Sequence, residues 1–436
     1  MRGAFITLIY TVLGIFLLTY GLLISRKIGG RTLPVWASMV VGAVLMVASL
    51  SISPEEALAS IDFRVISFLF GMLVICAGFE NSGLIEYLVL ILLRRAKNMN
   101  RLLLAIIFGS GLLSAVLVND TIALLITPLV LSAASKIRLG ENKVLLLPLA
   151  FGITTGSTLS PIGNPQNLLV ALDSGMAAPF AEFLLYLAVP TLVALFAVYF
   201  ICKFLYRKDL SRVEYGQMQR SLDEPSSAIS DWGLAKLSAR VLLVLVFGFA
   251  LVEIFPELQE AGLTLNVLAL IAGIALLAIT PRRLTLLRSM NWGILIFFGG
   301  MFVVMRGVWD SGIGGALLSA VPPPLPNNSV QSTASIMISS TLLSQILSNV
   351  PFVQLYSYQL ASLGFNSSHV VGWLALAAGS TLAGNLTLLG AVSNVIVIDS
   401  ARMRGAESFS FLDFARAGVV ITLVTGTIFF LFLAFV

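Results

Sequence analysis

The sequence predicts an all-α polytopic membrane protein made of two inverted repeats. Each repeat has about five transmembrane helices plus one re-entrant hairpin, and the fold includes two discontinuous helices. The first observation is composition, since 58% of the residues are hydrophobic and 11% are charged, whereas soluble domains carry about 25% charged residues. The second is a pair of polar breaks, Asn119-Asp120-Thr121 and Ser348-Asn349-Val350-Pro351, about half a chain length apart. Matching breaks in two halves are typical of secondary transporters.

The apolar runs are mostly long enough to cross a hydrocarbon core of roughly 30 Å as helices. They are residues 4–25, 34–50, 180–204, 241–255 and 414–436. The first run is too long for a removable signal peptide, and it lacks a basic leader and a small-residue cleavage site. We therefore expect the chain to be integral to the lipid bilayer.

The basic residues predict the orientation, because Lys and Arg are retained on the cytoplasmic side of a membrane. With the N-terminus outside, all of the 26 Lys and Arg residues lie inside except Arg2, Arg64 and Arg306. Both termini are then outside. The net charge of +5 is accounted for by topology and the anionic inner leaflet, so we expect no nucleic-acid partner.

This topology requires two segments to enter the membrane and return to the same face. Residues 102–135 form a predicted hairpin that opens inward, with Asn119-Asp120-Thr121 at its turn. Residues 332–362 form a second one that opens outward, with its turn at 348–351. Irregular backbone at membrane depth is tolerated only where protein buries it or where it lines an aqueous cavity. Both tips are therefore expected to meet around a site.

An internal repeat supports the division into two halves. Asn81-Ser82-Gly83-Leu84 recurs in the second half as Asp310-Ser311-Gly312-Ile313. The two hairpin turns are separated by nearly the same offset in sequence. We predict a first inverted repeat at 1–202, a cytoplasmic linker at 203–240 and a second repeat at 241–436. The second repeat begins on the opposite side of the membrane from the first.

A discontinuous helix is predicted after each hairpin, at 144–173 and at 371–398. Gly and Pro free backbone groups from the helical ladder there. The carbonyls and the Asn, Ser and Thr oxygens can then coordinate a cation, while half-helix N-termini offer N–H groups to an anion. The candidate binding residues in these breaks are Ser157, Thr158, Gly163, Asn164, Asn167, Asn385, Thr387, Ser393 and Asn394. At the hairpin tips they are Asn119, Asp120, Thr121, Ser348 and Asn349.

The first tip and the segment that follows it, residues 119–128, closely resemble the hairpin of the arsenite efflux permeases. The second tip resembles that of the same permeases and of related sodium/proton antiporters. Residues 160–167 and 384–394 resemble the broken helices of the wider ion transporter superfamily, which includes divalent-anion/sodium symporters and citrate carriers. The symporters have a Ser-Asn-Thr tip in both halves, and both tips of this chain depart from it.

The resemblance implies a scaffold domain able to form a homodimer and a transport domain that moves a small-molecule or ion substrate like an elevator. It also leads us to expect the plasma (inner) membrane of a prokaryote. No cofactor is expected beyond the coupling ion, H⁺ or Na⁺.

Asp120 is the strongest single candidate, because a carboxylate in an apolar stretch costs several kcal/mol unless it is used. Burial favours the neutral form of a carboxyl group, which would couple transport to protons. Alternatively, Asp120 stays ionised and binds Na⁺ together with Asn119 and Asn349. A third reading is structural, in which Asp120 only caps the N-terminus of the helix that follows it.

The polar centre has no predicted Lys or Arg, so a small and weakly charged solute is favoured. We expect an ion-coupled carrier of a small oxyanion, a metalloid hydroxide such as arsenite, or an organic anion. A Na⁺/H⁺ antiporter and a Na⁺-coupled dicarboxylate symporter are the alternatives. The chain offers no catalytic nucleophile, histidine base or metal-ligand cluster, so no enzyme is expected.

Asp120→Asn should abolish ion-coupled transport and leave the protein folded, because the amide can neither take up a proton nor compensate a cation. Transport into proteoliposomes at several pH values measures this, with size-exclusion chromatography as the folding control. A variant that retained full pH-dependent activity would contradict a coupling role for Asp120.

Overall fold

The computed structural model describes residues 2–25, 27–28, 31–137, 139–211 and 224–435. They fold almost entirely into α-helices, and a two-residue antiparallel β pair is the exception. In the first half the elements are α1 (Arg2–Ser25), β1 (Lys27–Ile28), β2 (Arg31–Thr32), α2 (Val35–Ala48), α3 (Pro54–Ser60), α4 (Phe63–Ser82), α5 (Leu84–Arg95), α6 (Met99–Val116), α7 (Asn119–Lys136), α8 (Lys143–Gly156), a 3₁₀ turn (Ser157–Leu159), α9 (Pro165–Asp173), α10 (Pro179–Leu205) and α11 (Arg207–Ser211). The predicted all-α class is confirmed.

The second half repeats this order. Its elements are a 3₁₀ turn (Pro225–Ala228), α12 (Trp232–Ile254), α13 (Pro256–Glu260), α14 (Leu265–Ile279), α15 (Arg283–Ser289), α16 (Trp292–Asp310), α17 (Ile313–Leu318), α18 (Ser329–Leu347), α19 (Asn349–Ser362), α20 (Val370–Ala383), a 3₁₀ turn (Leu388–Gly390), α21 (Val392–Arg402) and α22 (Phe411–Ala434). Helices α1, α2, α4, α8–α9 and α10 thus correspond to α12, α14, α16, α20–α21 and α22, which gives five per half besides the hairpin.

Equivalent helix ends are set by equivalent residues. Gly83 ends α4 with φ 76° and Gly312 follows α16 with φ 80°, a left-handed conformation that glycine adopts without strain. Asn98 caps α6 by accepting a hydrogen bond from Arg101 N, and Asn328 caps α18 by accepting one from Gln331 N. Side-chain caps of this kind satisfy N–H groups that a helix cannot satisfy internally. The local repeat in the sequence is therefore also a repeat of helix boundaries.

The two halves are packed into each other. Helix α4 of the first half packs on α14 of the second, and the equivalent pair is α16 on α2. Helix α6 packs on α8 as α18 packs on α20, and α10 packs on its own equivalent, α22. Each half therefore completes the core of the other.

Both predicted hairpins are present, and their turns are shorter than expected. Helices α6 and α7 form hairpin 1, whose turn is only Leu117 and Val118, so Asn119 already begins α7. Helices α18 and α19 form hairpin 2, whose turn is Ser348 alone. Asn119, Asp120 and Asn349 therefore occupy the first turns of helices, where free N–H groups are concentrated.

Both predicted discontinuous helices are present as well. The first, α8–α9, is interrupted between Gly156 and Pro165, and the second, α20–α21, between Ala383 and Val392. The helices on either side extend into both ends of the predicted linker 203–240, because α10 ends at Leu205 and α12 begins at Trp232. Residues 212–223 of that linker lie outside the described residues. The division into two repeats and a linker stays a prediction.

Seven helices among the described residues are long and apolar enough to cross a membrane, namely α1, α4, α6, α10, α12, α16 and α22. Helices α2, α8, α14 and α20 are shorter apolar helices. Loops predicted to lie on the same face contact each other. On the predicted cytoplasmic face, Lys143 Nζ lies 3.3 Å from Asp413 Oδ1. On the predicted outer face, Arg64 Nη2 lies 3.5 Å from Asp173 Oδ1. Which face is cytoplasmic, and the placement of both termini outside, stay predictions.

Small residues bring the crossed helices close together, as is common in membranes. A Cβ atom on Gly71 of α4 would lie 1.9 Å from the Ala269 carbonyl oxygen of α14. At the equivalent position, a Cβ on Gly300 of α16 would lie 2.8 Å from the Met39 backbone of α2. Neither neighbour is a flexible side chain, so these glycines set the distance between the helices.

Gly71→Ala should lower the thermal unfolding midpoint in detergent, with a loss of about 1–3 kcal/mol because the two backbones must separate. The matched control is Gly14→Ala in α1, where no atom lies within 4 Å of the added Cβ. The control should be neutral or slightly stabilising, since alanine favours a helix over glycine. Equal midpoints for the two variants would rule out close packing at Gly71.

Candidate functional site

The two hairpin tips meet at one cavity of about 330 Å³. Asn119 and Asp120 line it from hairpin 1, and Ser348, Asn349 and Val350 line it from hairpin 2. The break residues Pro165, Gln166, Ala391 and Val392, with Ile396, complete the wall, and the remaining lining residues are Pro34, Val35, Trp36, Asn291, Gly293, Ile294, Phe297 and Phe298. The geometry thus brings together four of the five tip residues that the sequence singled out, and the fifth, Thr121, lines an adjoining cavity instead.

A second cavity of about 380 Å³ adjoins the first and shares Asp120 with it. It extends along α4 past Cys76 to Glu80, and Asp399 and Ser400 of α21 line its opposite side. Asp120 therefore lies between a chamber at the tips and a passage towards the face of the protein where α4 ends.

Asp120 does not act as the helix cap that the structural alternative required. Helix α7 begins at Asn119, and its N-cap residue, Val118, makes no side-chain hydrogen bond. Asp120 lies in the first turn, where the positive end of the helix dipole favours a carboxylate. Among the described residues that line either cavity with Asp120 there is no Lys or Arg. Asp120 therefore lines both cavities from the first turn of α7.

The neighbouring amides have buried oxygen atoms without partners. Asn119 is 6% exposed and Asn349 is 4% exposed, and the Oδ1 atom of each has no hydrogen-bond partner. A buried acceptor left unsatisfied costs about 1–3 kcal/mol. Both residues line the 330 Å³ cavity, so each hairpin tip has one buried acceptor without a partner at this cavity.

The backbone of hairpin 2 is strained at its tip. Ser348 has φ 63° and ψ 159°, a region that essentially only glycine adopts. Such a conformation costs about 1–3 kcal/mol and persists only where the surroundings enforce it. The equivalent residue of hairpin 1 is Asn119, which is helical and follows Val118 at φ −60°. Strain is therefore confined to one of the two tips.

In the first break, side chains hydrogen-bond to the unwound backbone. Asn167 Nδ2 donates to the Ser157, Thr158 and Ser160 carbonyl oxygens at 3.1, 3.3 and 3.0 Å. Thr381 Oγ1 donates to Asn167 Oδ1 at 3.0 Å, which ties the break to α20. Asn167 is therefore fully used in holding the unwound backbone.

Asn164 and Gly163 also make hydrogen bonds that stabilise this break. Asn164 Nδ2 donates to Ser157 Oγ at 3.1 Å, and its Oδ1 caps α9 through Asn167 N at 2.8 Å. The Gly163 carbonyl accepts from Asn119 N at 3.1 Å, which couples the break to hairpin 1. The structure does not bring Ser157, Thr158, Gly163, Asn164 or Asn167 to the wall of either cavity.

The second break is less completely satisfied. Asn385 Nδ2 donates to Thr155 Oγ1 at 3.0 Å and Asn394 Nδ2 to the Gly384 carbonyl at 2.6 Å, but both Oδ1 atoms are buried without partners. Ser393 Oγ is also unpartnered, whereas Thr387 Oγ1 donates to Gln345 Oε1 at 2.7 Å. These four residues do not line the two cavities either.

The two breaks differ in the hydrogen bonding of one equivalent pair of residues. Thr154 and Asn394 are the repeat equivalents of Thr381 and Asn167, since the same sequence offset relates both pairs. The hydrogen bond between Thr381 and Asn167 nevertheless has no counterpart, because Thr154 Oγ1 and Asn394 Oδ1 lack partners. Hard oxygen donors at unwound backbone are typical of Na⁺ sites in transporters. The second break therefore has the donor set that could hold a monovalent cation.

Several cavity residues were not anticipated from the sequence. Gln166 lies inside a motif that was singled out, but its neighbours Asn164 and Asn167 were chosen instead. Asn291 is the repeat equivalent of Asp62, which caps α4, so the repeat offset was a usable signal. No local pattern distinguishes Trp36 or Phe297 from other membrane aromatics.

Asn167→Ala should destabilise the fold by roughly 1.5–4.5 kcal/mol, because the bonds of two amide N–H groups and one amide oxygen are lost, at about 0.5–1.5 kcal/mol each. Asn349→Ala should leave the unfolding midpoint near that of the parent and weaken transport, because its Oδ1 has no partner to lose. Thermal unfolding and transport measured on both variants separate the two roles. Equal destabilisation would show that Asn349 is as structural as Asn167.

Comparisons with known proteins agree with this architecture. A family model described as citrate transporter matches residues 20–383. A silicon efflux transporter of Oryza sativa subsp. japonica is 29% identical, over 92% of this chain and 91% of its own length. The arsB transporter of Dictyostelium discoideum is 23% identical, over 92% and 87%.

A solved structure supports the fold. Neisseria gonorrhoeae MtrF, described as one of a class of antimetabolite efflux pumps, matches with a TM-score of 0.53 and 13% identity, over 97% of this chain and 94% of that chain. The resemblance to the ion transporter superfamily is confirmed, and the protein is an integral, multi-pass membrane transporter. The chain belongs to the citrate transporter family.

Proposed function

We propose that the chain is an ion-coupled secondary active transporter whose substrate is a small metalloid hydroxide of the arsenite type. Small oxyanions and organic anions are the wider class. The observation that supports this substrate is the polar lining of the 330 Å³ cavity. It consists of one carboxylate, on Asp120, with the amides of Asn119, Gln166, Asn291 and Asn349 and the hydroxyl of Ser348.

The charge of this lining disfavours a polyanion. Among the described residues that line the cavity there is no Lys or Arg. An anionic group about 4 Å from an ionised Asp120 would be repelled by about 4 kcal/mol at an effective dielectric constant of about 20. A dicarboxylate would therefore need co-bound cations to offset this repulsion.

A neutral metalloid hydroxide fits this lining better than a polyanion does. Its O–H groups can donate to the Oδ1 atoms of Asn119 and Asn349, each of which lacks a partner. Satisfying a buried acceptor of this kind recovers about 1–3 kcal/mol. The name of the rice relative, a silicon efflux transporter, is consistent with a substrate of this chemical class.

Asp120 is the proposed coupling group. If H⁺ is the coupling ion, its carboxyl group is protonated and deprotonated in the cavity, whose described lining has no Lys or Arg. If Na⁺ is the coupling ion, its carboxylate binds the ion with the oxygens of Asn119 and Asn349. Separately imposed pH and Na⁺ gradients distinguish the two.

Alternating access is proposed to occur by an elevator-like movement. The hairpins and broken helices would form a transport domain, and a scaffold domain able to form a homodimer would remain still. The packing of the two tips around a single cavity supports one central site that is exposed in turn to each face.

A Na⁺/H⁺ antiporter is the second candidate. It is favoured by the single carboxylate of the cavity together with the buried, unpartnered oxygens at both tips. In that case Asp120 would bind the two ions alternately, and no further solute would be required.

The test is a substrate panel in proteoliposomes that contain the purified chain. Arsenite, succinate, citrate, phosphate and sulfate are offered under a pH gradient, a Na⁺ gradient, both or neither. We expect gradient-driven movement of arsenite that exceeds that of every anion in the panel, and its loss in Asp120→Asn. Na⁺ movement driven by a pH gradient without any solute would instead select the antiporter. Citrate movement that required Na⁺ would contradict the proposed substrate class.

A further inference from the structure

The tip of hairpin 2 is held by a side chain from the first helix of the chain. Tyr20 of α1 is buried, and its hydroxyl donates a hydrogen bond of 2.8 Å to the Leu347 carbonyl oxygen. Leu347 is the last residue of α18, directly before the strained Ser348. The Tyr20 ring packs on Phe16, with the ring centroids 4.6 Å apart, so the hydroxyl is rigidly placed.

The Leu347 carbonyl needs an outside donor because of the residue four positions later. A helix would satisfy this carbonyl with the N–H of residue 351, but residue 351 is a proline and has no N–H group. Hairpin 1 differs at the equivalent positions. The Val118 carbonyl accepts from Ile122 N at 3.3 Å and from Thr121 N at 3.0 Å, so its own helix satisfies it.

The residue that donates this hydrogen bond, Tyr20, also differs from its equivalent in the other half. The repeat equivalent of Tyr20 is Phe249, a buried ring with no hydroxyl that stacks on Phe68. Hairpin 2 thus has Pro351 where α1 has Tyr20. At the equivalent positions of hairpin 1 and α12 the residues are Ile122 and Phe249. Two independent residue choices therefore converge on a single hydrogen bond.

This bond lies beside the site. Tyr20 and Ser348 line a small cavity of about 100 Å³ whose wall also includes Val35, Phe297, Ala391 and Val392. Those four residues and Ser348 also line the 330 Å³ cavity. A shift of the tip would therefore move Asn349, the next residue, relative to Asn119 and Asp120.

We propose, on the basis of the transport function inferred above, that Tyr20 is a positioning residue. Its hydroxyl replaces the N–H group missing at Pro351 and holds the strained Ser348 turn so that Asn349 faces the cavity. Tyr20 does not touch the substrate. Loss of the hydroxyl frees the tip of hairpin 2 and leaves hairpin 1 unchanged.

The test follows the position of each tip by cysteine labelling. Cys76 and Cys202 are the only cysteines, and both are replaced by alanine. A single cysteine is then introduced as Val350→Cys at tip 2 or as Thr121→Cys at the equivalent position of tip 1. Maleimide reaction rates are measured in nanodiscs for the parent, Tyr20→Phe and the control Tyr10→Phe, a residue on the same helix that is 69% exposed.

Tyr20→Phe should change the labelling rate at position 350 by about two- to tenfold, the ratio that corresponds to one buried hydrogen bond. The rate at position 121 should stay constant, and Tyr10→Phe should change neither rate. Pro351→Ala, which restores an N–H group, should bring the rate in the Tyr20→Phe background back towards the parent value. Unchanged labelling at position 350, an equal change at both tips, or no recovery with Pro351→Ala would each overturn the positioning role.

Arsenite transport by the same variants separates this inference from the proposed function. Tyr20→Phe should weaken arsenite binding, seen as a higher KM, more than it lowers the maximal rate. If the parent transports no member of the panel, the proposed function fails while the labelling comparison still decides the role of Tyr20.

Discussion

Backbone polar groups at membrane depth have no water to bond, so every interruption of a helix must be closed by another part of the chain. The structure meets this constraint at the first break and at the two hairpin tips by different means. Asn167 closes the first break with three donated hydrogen bonds, Gly163 accepts the free N–H of Asn119, and Tyr20 satisfies Leu347. The interlocking of the two halves follows, since Thr381 and Tyr20 act on the half to which they do not belong.

Buried side-chain oxygens without partners are equally informative. Asn119 and Asn349 at the tips, and Asn385 and Asn394 at the second break, have buried oxygens without partners. Asn119 and Asn349 line one cavity together with the Asp120 carboxylate, and such a lining is suited to a ligand that supplies protons or positive charge. The membership of the chain in a transporter family agrees with this distribution, and the proposed arsenite-type substrate is the simplest solute that fits it.

The two halves share an architecture but differ in detail. The hydrogen bond between Thr381 and Asn167 has no counterpart at Thr154 and Asn394, and only the second tip is strained. At one face Arg64 bridges α4 and α9 through Asp62 and Asp173, whereas the equivalent of Arg64 is Gly293, which lines the open cavity. The two halves therefore contribute different contacts to the cavity and to the opposite face.

Helix positions, both hairpins and both breaks followed from the sequence by itself, because apolar length and the placement of Gly, Pro and charge act within a few residues along the chain. The offset between the repeats, 229 residues at the tips and 227 residues at the breaks, also identified equivalent positions. The role of each polar residue was decided only by the tertiary structure. Asn167 and Asn349 are indistinguishable as sequence candidates, yet one is consumed by backbone carbonyls and the other faces the cavity. A side chain's hydrogen-bond partners depend on residues brought from distant parts of the chain, and no local pattern contains that information.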